Sequence, residues 1–243
     1  MNAQFMKRKG YFFLLPLLMM GFILSAQTDQ GKIIYEYSMD LHRNIPPERE
    51  ELKAMIPQFS EQTYQLVFNG AESLYKEVEE ASLPGRRGGM GFAMRMPGTE
   101  TYVNREDSEV VVRLEFLGRA YLVTEPLELG PWRMGDQMME IEGYMCMMAW
   151  HHDTIQDQEI TAWFTPDIRP FTGPDRYVSL PGTVLALDIN NGERVWVARH
   201  IELGEVEDQP VVPPSRGERL SREAYLEMMQ EARERMEGRG FGF

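Results

Sequence analysis

The feature that most constrains this chain is a two-residue alternation that recurs along most of its length. Ile33, Tyr35, Tyr37, Met39 and Leu41 alternate with Lys32, Glu36, Ser38 and Asp40. Successive side chains of a strand point to opposite faces, so this stretch reads as a half-buried strand and not as a helix. Tyr64, Leu66 and Phe68 repeat the pattern and run into Asn69-Gly70. Both residues of that dipeptide tolerate positive φ, the requirement of a tight hairpin turn. The chain then returns through Ser73 to Val78. Further strands are expected at 101–104, 109–116, 120–124, 142–150, 159–165, 183–189 and 193–203. Asn191-Gly192 joins the last two as a second hairpin. Neighbouring strands joined by short turns imply an antiparallel sheet and not alternating β and α units. The expected fold is mainly β: one antiparallel sheet, strongly curved or partly closed, with a C-terminal amphipathic helix.

Other segments interrupt or follow the strands. Pro46-Pro47 opens a short helical stretch over 48–56. Residues 84–98, PGRRGGMGFAMRMPG, are rich in Gly and Met and read as a loop. Pro210, Pro213 and Pro214 mark a linker. After it, Ser221 caps an amphipathic helix over 222–237, with Ala224, Tyr225, Met228, Met229, Ala232 and Met236 on its apolar side. The tail GRGFGF reads as disordered. The expected division is therefore 1–26, 27–208 for the β domain, and 209–243 for linker, helix and tail.

The first 26 residues read as a secretory signal. Lys7, Arg8 and Lys9 form a basic segment, Tyr11 to Leu24 an apolar run, and Ser25-Ala26 a small-residue cleavage site. The run is short for a membrane span of ~20 residues. Cleavage near Ala26 leaves no transmembrane span, and the destination is the periplasm or the cell envelope. The net charge is −13, and it becomes more negative once the three basic residues leave. Such a balance argues against nucleic acid as a partner. An unidentified small molecule or an envelope protein is the expected one.

Several pieces then resemble one family in order and spacing. These are GKIIYEY, YQLVFNGAESLYK, GPW followed by IEGYMCMMA, ITAWFTPDI, and GPDRYVSLPGTVLALD. Together they resemble the GLPGLI family, exported proteins of Bacteroidetes-type bacteria without an established biochemical activity. The naming segment stands here as Ser179-Leu180-Pro181-Gly182-Thr183-Val184, and methionines occupy positions around the cysteine where members often carry lysine. The Leu180-Pro181-Gly182 triplet suits a type II turn, with Pro fixing φ and Gly accepting φ > 0. That turn either shapes the sheet edge or, with Trp163 and Tyr177, lines a ligand mouth. More broadly, Trp132, Trp150, Trp163, Trp196, Tyr35, Tyr37 and Tyr177 supply aromatic surface for a cleft or for core.

The chemistry-bearing residues are few. The Gly-x-Ser-x-Gly elbow and the His-Glu-x-x-His motif are missing, and the glycines at 85–91 lack phosphate-loop spacing. His42 and His200 stand alone, and His151-His152-Asp153 has no nucleophile nearby in sequence. No catalytic residue is assigned and no cofactor is expected. The chain holds one cysteine and 18 methionines. Cys146, Met148 and His152 share one face of an ideal strand, and Met90, Met94 and Met96 lie in the loop. Thiolate, thioether and imidazole together suit Cu(I), against the plainer reading of Cys146 as a buried apolar residue. The leading functional expectation is a non-catalytic accessory or binding protein of the envelope. Copper handling, or a hydrolase with a site dispersed over the sheet, are the alternatives.

Overall fold

The computed structural model describes residues 29–43, 45–78, 99–116, 118–128, 130–154, 156–206 and 210–237. The segment read as a signal, the stretch holding Met90, Met94 and Met96 and the last six residues lie outside them. Twelve strands form one sheet: β1 (Gln30–Asp40), β2 (Phe59–Asn69), β3 (Glu72–Glu77), β4 (Glu100–Asn104), β5 (Glu109–Phe116), β6 (Arg119–Pro126), β7 (Arg133–Ile141), β8 (Tyr144–Asp153), β9 (Gln158–Thr165), β10 (Thr183–Ile189), β11 (Arg194–Leu203) and β12 (Glu218–Ser221). Helix α1 (Arg222–Glu237) follows. The spatial order is β12-β6-β5-β4-β3-β2-β1-β11-β10-β9-β8-β7. Among the described residues no helix is long and apolar enough to cross a membrane.

The expected mainly β architecture is present, with its C-terminal helix. The two hairpin dipeptides act as expected: Gly70 has φ +57°, and Asn190, Asn191 and Gly192 all have positive φ between β10 and β11. Ser221 caps α1, its Oγ accepting the Ala224 amide at 3.2 Å. Two features differ from the sequence reading. The sheet is mixed, because β12 runs parallel to β6. The segment read as linker and helix thus contributes a strand of its own. The stretch expected as a helix over 48–56 is a 3-10 helix, Pro47–Ala54, broken at Arg49.

The sheet is open but folds back on itself. β5 and β9 stand seven strands apart in the order. That is roughly 34 Å in a flat sheet at ~4.8 Å per strand, yet residues from both line one cleft. The main core fills the bend under β1, β2, β3 and β8 to β11. Its centre is an aromatic set. Tyr37 packs on Trp196 at 4.7 Å and Tyr64 stacks on Tyr75 at 4.9 Å. The polar ends are satisfied: Trp196 Nε1 donates to the Tyr75 hydroxyl, and the Tyr35 hydroxyl donates to the Val184 carbonyl. Tyr35, Tyr37 and Trp196 are therefore core, not cleft. The β4 to β6 half is covered on both faces. Val110 and Val112 enter one cluster, while Val111 between them enters another, capped by Val211.

Candidate functional site

A cleft of about 560 Å³ lies where the two halves of the sheet face each other. Strand alternation builds one wall, since Val110, Val112 and Leu114 of β5 all project into it, joined by Val123 of β6. Ile160, His151 and Arg194 form the opposite wall. The connector before β7 brings Trp132, and the long β9–β10 loop brings Asp175, Arg176, Tyr177 and Ser179. Tyr225 and Leu226 of α1 close the rim. The loop is held tightly. A Cβ on Gly173 would stand 2.2 Å from the Tyr177 carbonyl oxygen.

Charge at the rim is paired within the protein. Glu125 is only 7% exposed. Its carboxylate accepts from Arg176 Nη1 at 2.8 Å and from Arg222 Nη1 at 2.7 Å. Asp175 accepts from Thr101 Oγ1 at 2.5 Å and sits beside the Arg176 guanidinium. Asp175, and then Glu125, raise the Arg176 pKa above its ordinary value against the opposing effect of burial. Burial, with Asp175 adding to it, pushes the Tyr177 phenol up to about 12, so it stays protonated and available as a donor.

Deeper in, Ser179 Oγ accepts from Trp132 Nε1 at 2.9 Å and from the Gly130 amide at 3.2 Å. The His151 ring stands edge-on to Trp132 at 4.5 Å between centroids. Its Nδ1 is buried and has no hydrogen-bond partner among the described residues. A buried polar atom left unpaired costs about 1–3 kcal/mol. His151 is a lining residue of the cleft, and a ligand's polar group that reached this nitrogen would recover that cost.

Of the residues singled out from sequence, Tyr177 lies in this cleft and Trp163 does not. Trp163 is half-buried on β9 between Met148 and Ala186. Leu180 is buried in the main core and Pro181 is exposed. Gly182 does not adopt positive φ, so the expected type II turn is replaced by a different role for glycine. A Cβ there would meet the Thr165 carbonyl oxygen at 2.5 Å and Phe164 at 2.6 Å. Glycine is needed for close approach of two backbones.

Cys146, Met148 and His152 are not brought together. Cys146 and Ala149 are both fully buried, so the in–out alternation slips between them and the shared face of an ideal strand does not persist. Met148 packs its methyl against Gly135. His152 is exposed at the strand end, 3.2 Å from Asp157. Among the described residues, no group of three His, Cys, Asp or Glu side chains is placed to hold a metal. Burial, with Asp167 adding to it, pushes the Cys146 thiol up to about 11. Only the thiolate is reactive. Maleimide labelling of the folded chain at pH 7.5 should therefore be slower than that of a denatured sample by a hundredfold or more. Its rate should climb as pH approaches 11. Equal rates in the two samples would place the thiol in solvent.

The cleft residues that sequence reasoning did not name are Glu125, Arg176 and Arg222, while Ser179 and His151 were named without a place in a cleft. They come from β6, one long loop, α1 and β8. No spacing in the sequence links them; only the fold-back of the sheet does.

A family described as "Protein of unknown function (Porph_ging)" matches residues 150–186. That segment supplies His151, Ile160, Asp175, Arg176, Tyr177 and Ser179 to the cleft. Among solved structures, PNGF-II in its P21 crystal form aligns over 85% of this chain and 34% of its own, at 17% identity and TM-score 0.56. The C2 crystal form of PNGF-II aligns over 84% and 33%, at 16% identity and TM-score 0.56. The chain thus spans about a third of the length of those proteins, and the likeness is one of fold. No curated protein matches.

Proposed function

We propose that the chain is an exported, non-catalytic binding protein of the cell envelope, of the GLPGLI type, whose ligand occupies the cleft between β5–β6 and β8–β9. One observation carries this reading: an unpartnered, buried His151 Nδ1 in the wall of a cleft of small-molecule size. The wall of Val110, Val112, Leu114 and Ile160 suits an apolar body. His151, the Tyr177 phenol and the Ser179 hydroxyl suit a hydrogen-bonding head. The rim carboxylate Glu125 is already matched by two arginines, so the ligand need not bring a charge to balance it. Among the described residues His151 Nδ1 has no carboxylate or hydroxyl partner, so no orienting hydrogen bond to that nitrogen supports a catalytic role for the ring.

His151→Phe tests the proposal. The ring keeps its packing against Trp132 while the nitrogen is removed. The unliganded variant should be as stable as the parent, or more stable by about 1 kcal/mol, because an unpaired polar atom is gone. Thermal-shift screening with aromatic alcohols, amides and medium-chain fatty acids should find compounds that stabilise the parent. Their affinity should fall about tenfold in His151→Phe, the worth of about 1.4 kcal/mol. Compounds that stabilise both proteins equally would bind elsewhere and reject this cleft. Reproducible ester or glycoside turnover that disappears in His151→Phe would replace binding by catalysis.

A further inference from the structure

The β7–β8 hairpin holds six methionines: Met134, Met138, Met139, Met145, Met147 and Met148. Four are strongly exposed, Met138 at 61% and Met145 at 47% among them. Exposed strand positions are ordinarily served by Thr, Val or polar residues, which fit the pleated backbone better than an unbranched thioether. The pairing register shows what the methionines share. Met138 lies directly opposite Met147, and Met145 lies opposite Glu140. Met138, Met145, Met147 and Glu140 therefore belong to one face of the hairpin, while Met139 and Cys146 form the next pair on the other.

We propose that Met138, Met145 and Met147 form a three-thioether site for a soft monovalent cation, Cu(I) or Ag(I). Directly opposed Cβ atoms in such a pair are ~4.5–5.5 Å apart and diagonal ones ~7–8 Å. Two torsions place each methionine sulfur and a third turns its methyl aside, enough for three sulfurs to converge on one ion from those distances. Thioether sulfur is a soft ligand that selects Cu(I) over the hard divalent ions. Glu140 places a carboxylate beside the site and offsets the charge of the cation. The site is independent of the cleft, and it is distinct from the Cys146, Met148 and His152 set that the fold keeps apart.

The chemistry gives a signature. Thioethers do not titrate, so uptake is the same at pH 5.5 and 7.5, whereas imidazole or thiol ligands lose cations as they are protonated. The test uses Ag(I), which needs no reductant, and the full mature chain carrying Cys146→Ala to remove the thiol. Methyl-labelled methionine is followed by NMR during the titration. One Ag(I) per chain is expected to shift Met138, Met145 and Met147 and leave Met134 and Met139 in place. Met138→Leu and Met145→Leu should each weaken uptake tenfold or more, and Met139→Leu should change it less than twofold. Leucine conserves volume and apolarity at a cost below ~1.5 kcal/mol, so an unchanged circular dichroism spectrum separates lost ligands from lost fold. Wild-type affinity in the Met138 and Met145 variants overturns the site. So do shifts confined to Met90, Met94 and Met96, or uptake that falls between pH 7.5 and 5.5.

Discussion

Gly182→Ala is expected to lower stability by about 3 kcal/mol, the upper end of the cost of overpacking. For a chain of this size each kcal/mol is worth about 2–4 °C, so the melting temperature should drop roughly 6–12 °C. The reason is backbone, not side chain. The added methyl would stand 2.5 Å from the Thr165 carbonyl oxygen and 2.7 Å from its carbonyl carbon. Thr165 pairs with Thr183, the residue after Gly182, so β9 cannot retreat without opening its ladder to β10. The disturbance would reach further. Thr183 Oγ1 lies 3.1 Å from both the Ile168 and Pro170 carbonyls, which anchor the loop carrying Arg176 and Tyr177. Thermal melting followed by circular dichroism measures the effect. Pro181→Ala is the control, because Pro181 is exposed and its loss should cost under about 1 kcal/mol. An unchanged melt in Gly182→Ala would show that β9 and β10 yield to the methyl at no cost.

This glycine also shows how far the sequence could be read. The Leu-Pro-Gly segment signals a special backbone position, but two mechanisms give the same letters: positive φ or close approach. Only the placement of β9 against it decides between them. Strands with period-two patterning were legible, because one buried face imposes the alternation locally. β10 kept its expected bounds although it is buried on both faces and shows no alternation, and α1 kept its full span, since a capping serine fixes the start. β7 was not legible. Its sequence RMGDQMMEI has a single β-branched residue, and as an edge strand it buries only Ile141, so no alternation is imposed. β12 is four residues long and exists through its partner β6, a contact of nearly 100 residues' separation that no local signal records. The cleft was least legible of all. Tyr177 could be singled out as an aromatic near turns, but Glu125, Arg176 and Arg222 acquire meaning only when the sheet folds back and puts three separate elements around one carboxylate.

That carboxylate carries the second large effect. Removing both arginines together, in Arg176→Ala/Arg222→Ala, is expected to cost about 3 kcal/mol, and either single change about 1 kcal/mol. The asymmetry follows from exposure. The Glu125 side chain is 6% exposed, whereas Arg176 and Arg222 are 40% and 37% exposed. One remaining guanidinium still satisfies the buried charge. With none, the carboxylate is left without a partner where water reaches it poorly, the situation in which breaking a buried pair is most costly. Water around the half-exposed arginines moderates the loss below the 3–5 kcal/mol seen for fully buried pairs. Adding Glu125→Leu to the double variant should therefore recover most of the stability, because the uncompensated charge is removed and the site becomes apolar like the neighbouring Val123. The arrangement also ties function to stability. Arg222 is the first residue of α1, and Arg176 belongs to the loop that carries Tyr177, so both lining elements are held to β6 through one side chain. Amide exchange in β12 should accelerate in Arg222→Ala more than in Arg176→Ala, since only the former frees the helix. Denaturant melts of the two single variants and the double decide the energetics. Losses that merely add would mean that Glu125 is hydrated in solution and that the arginines act independently of it.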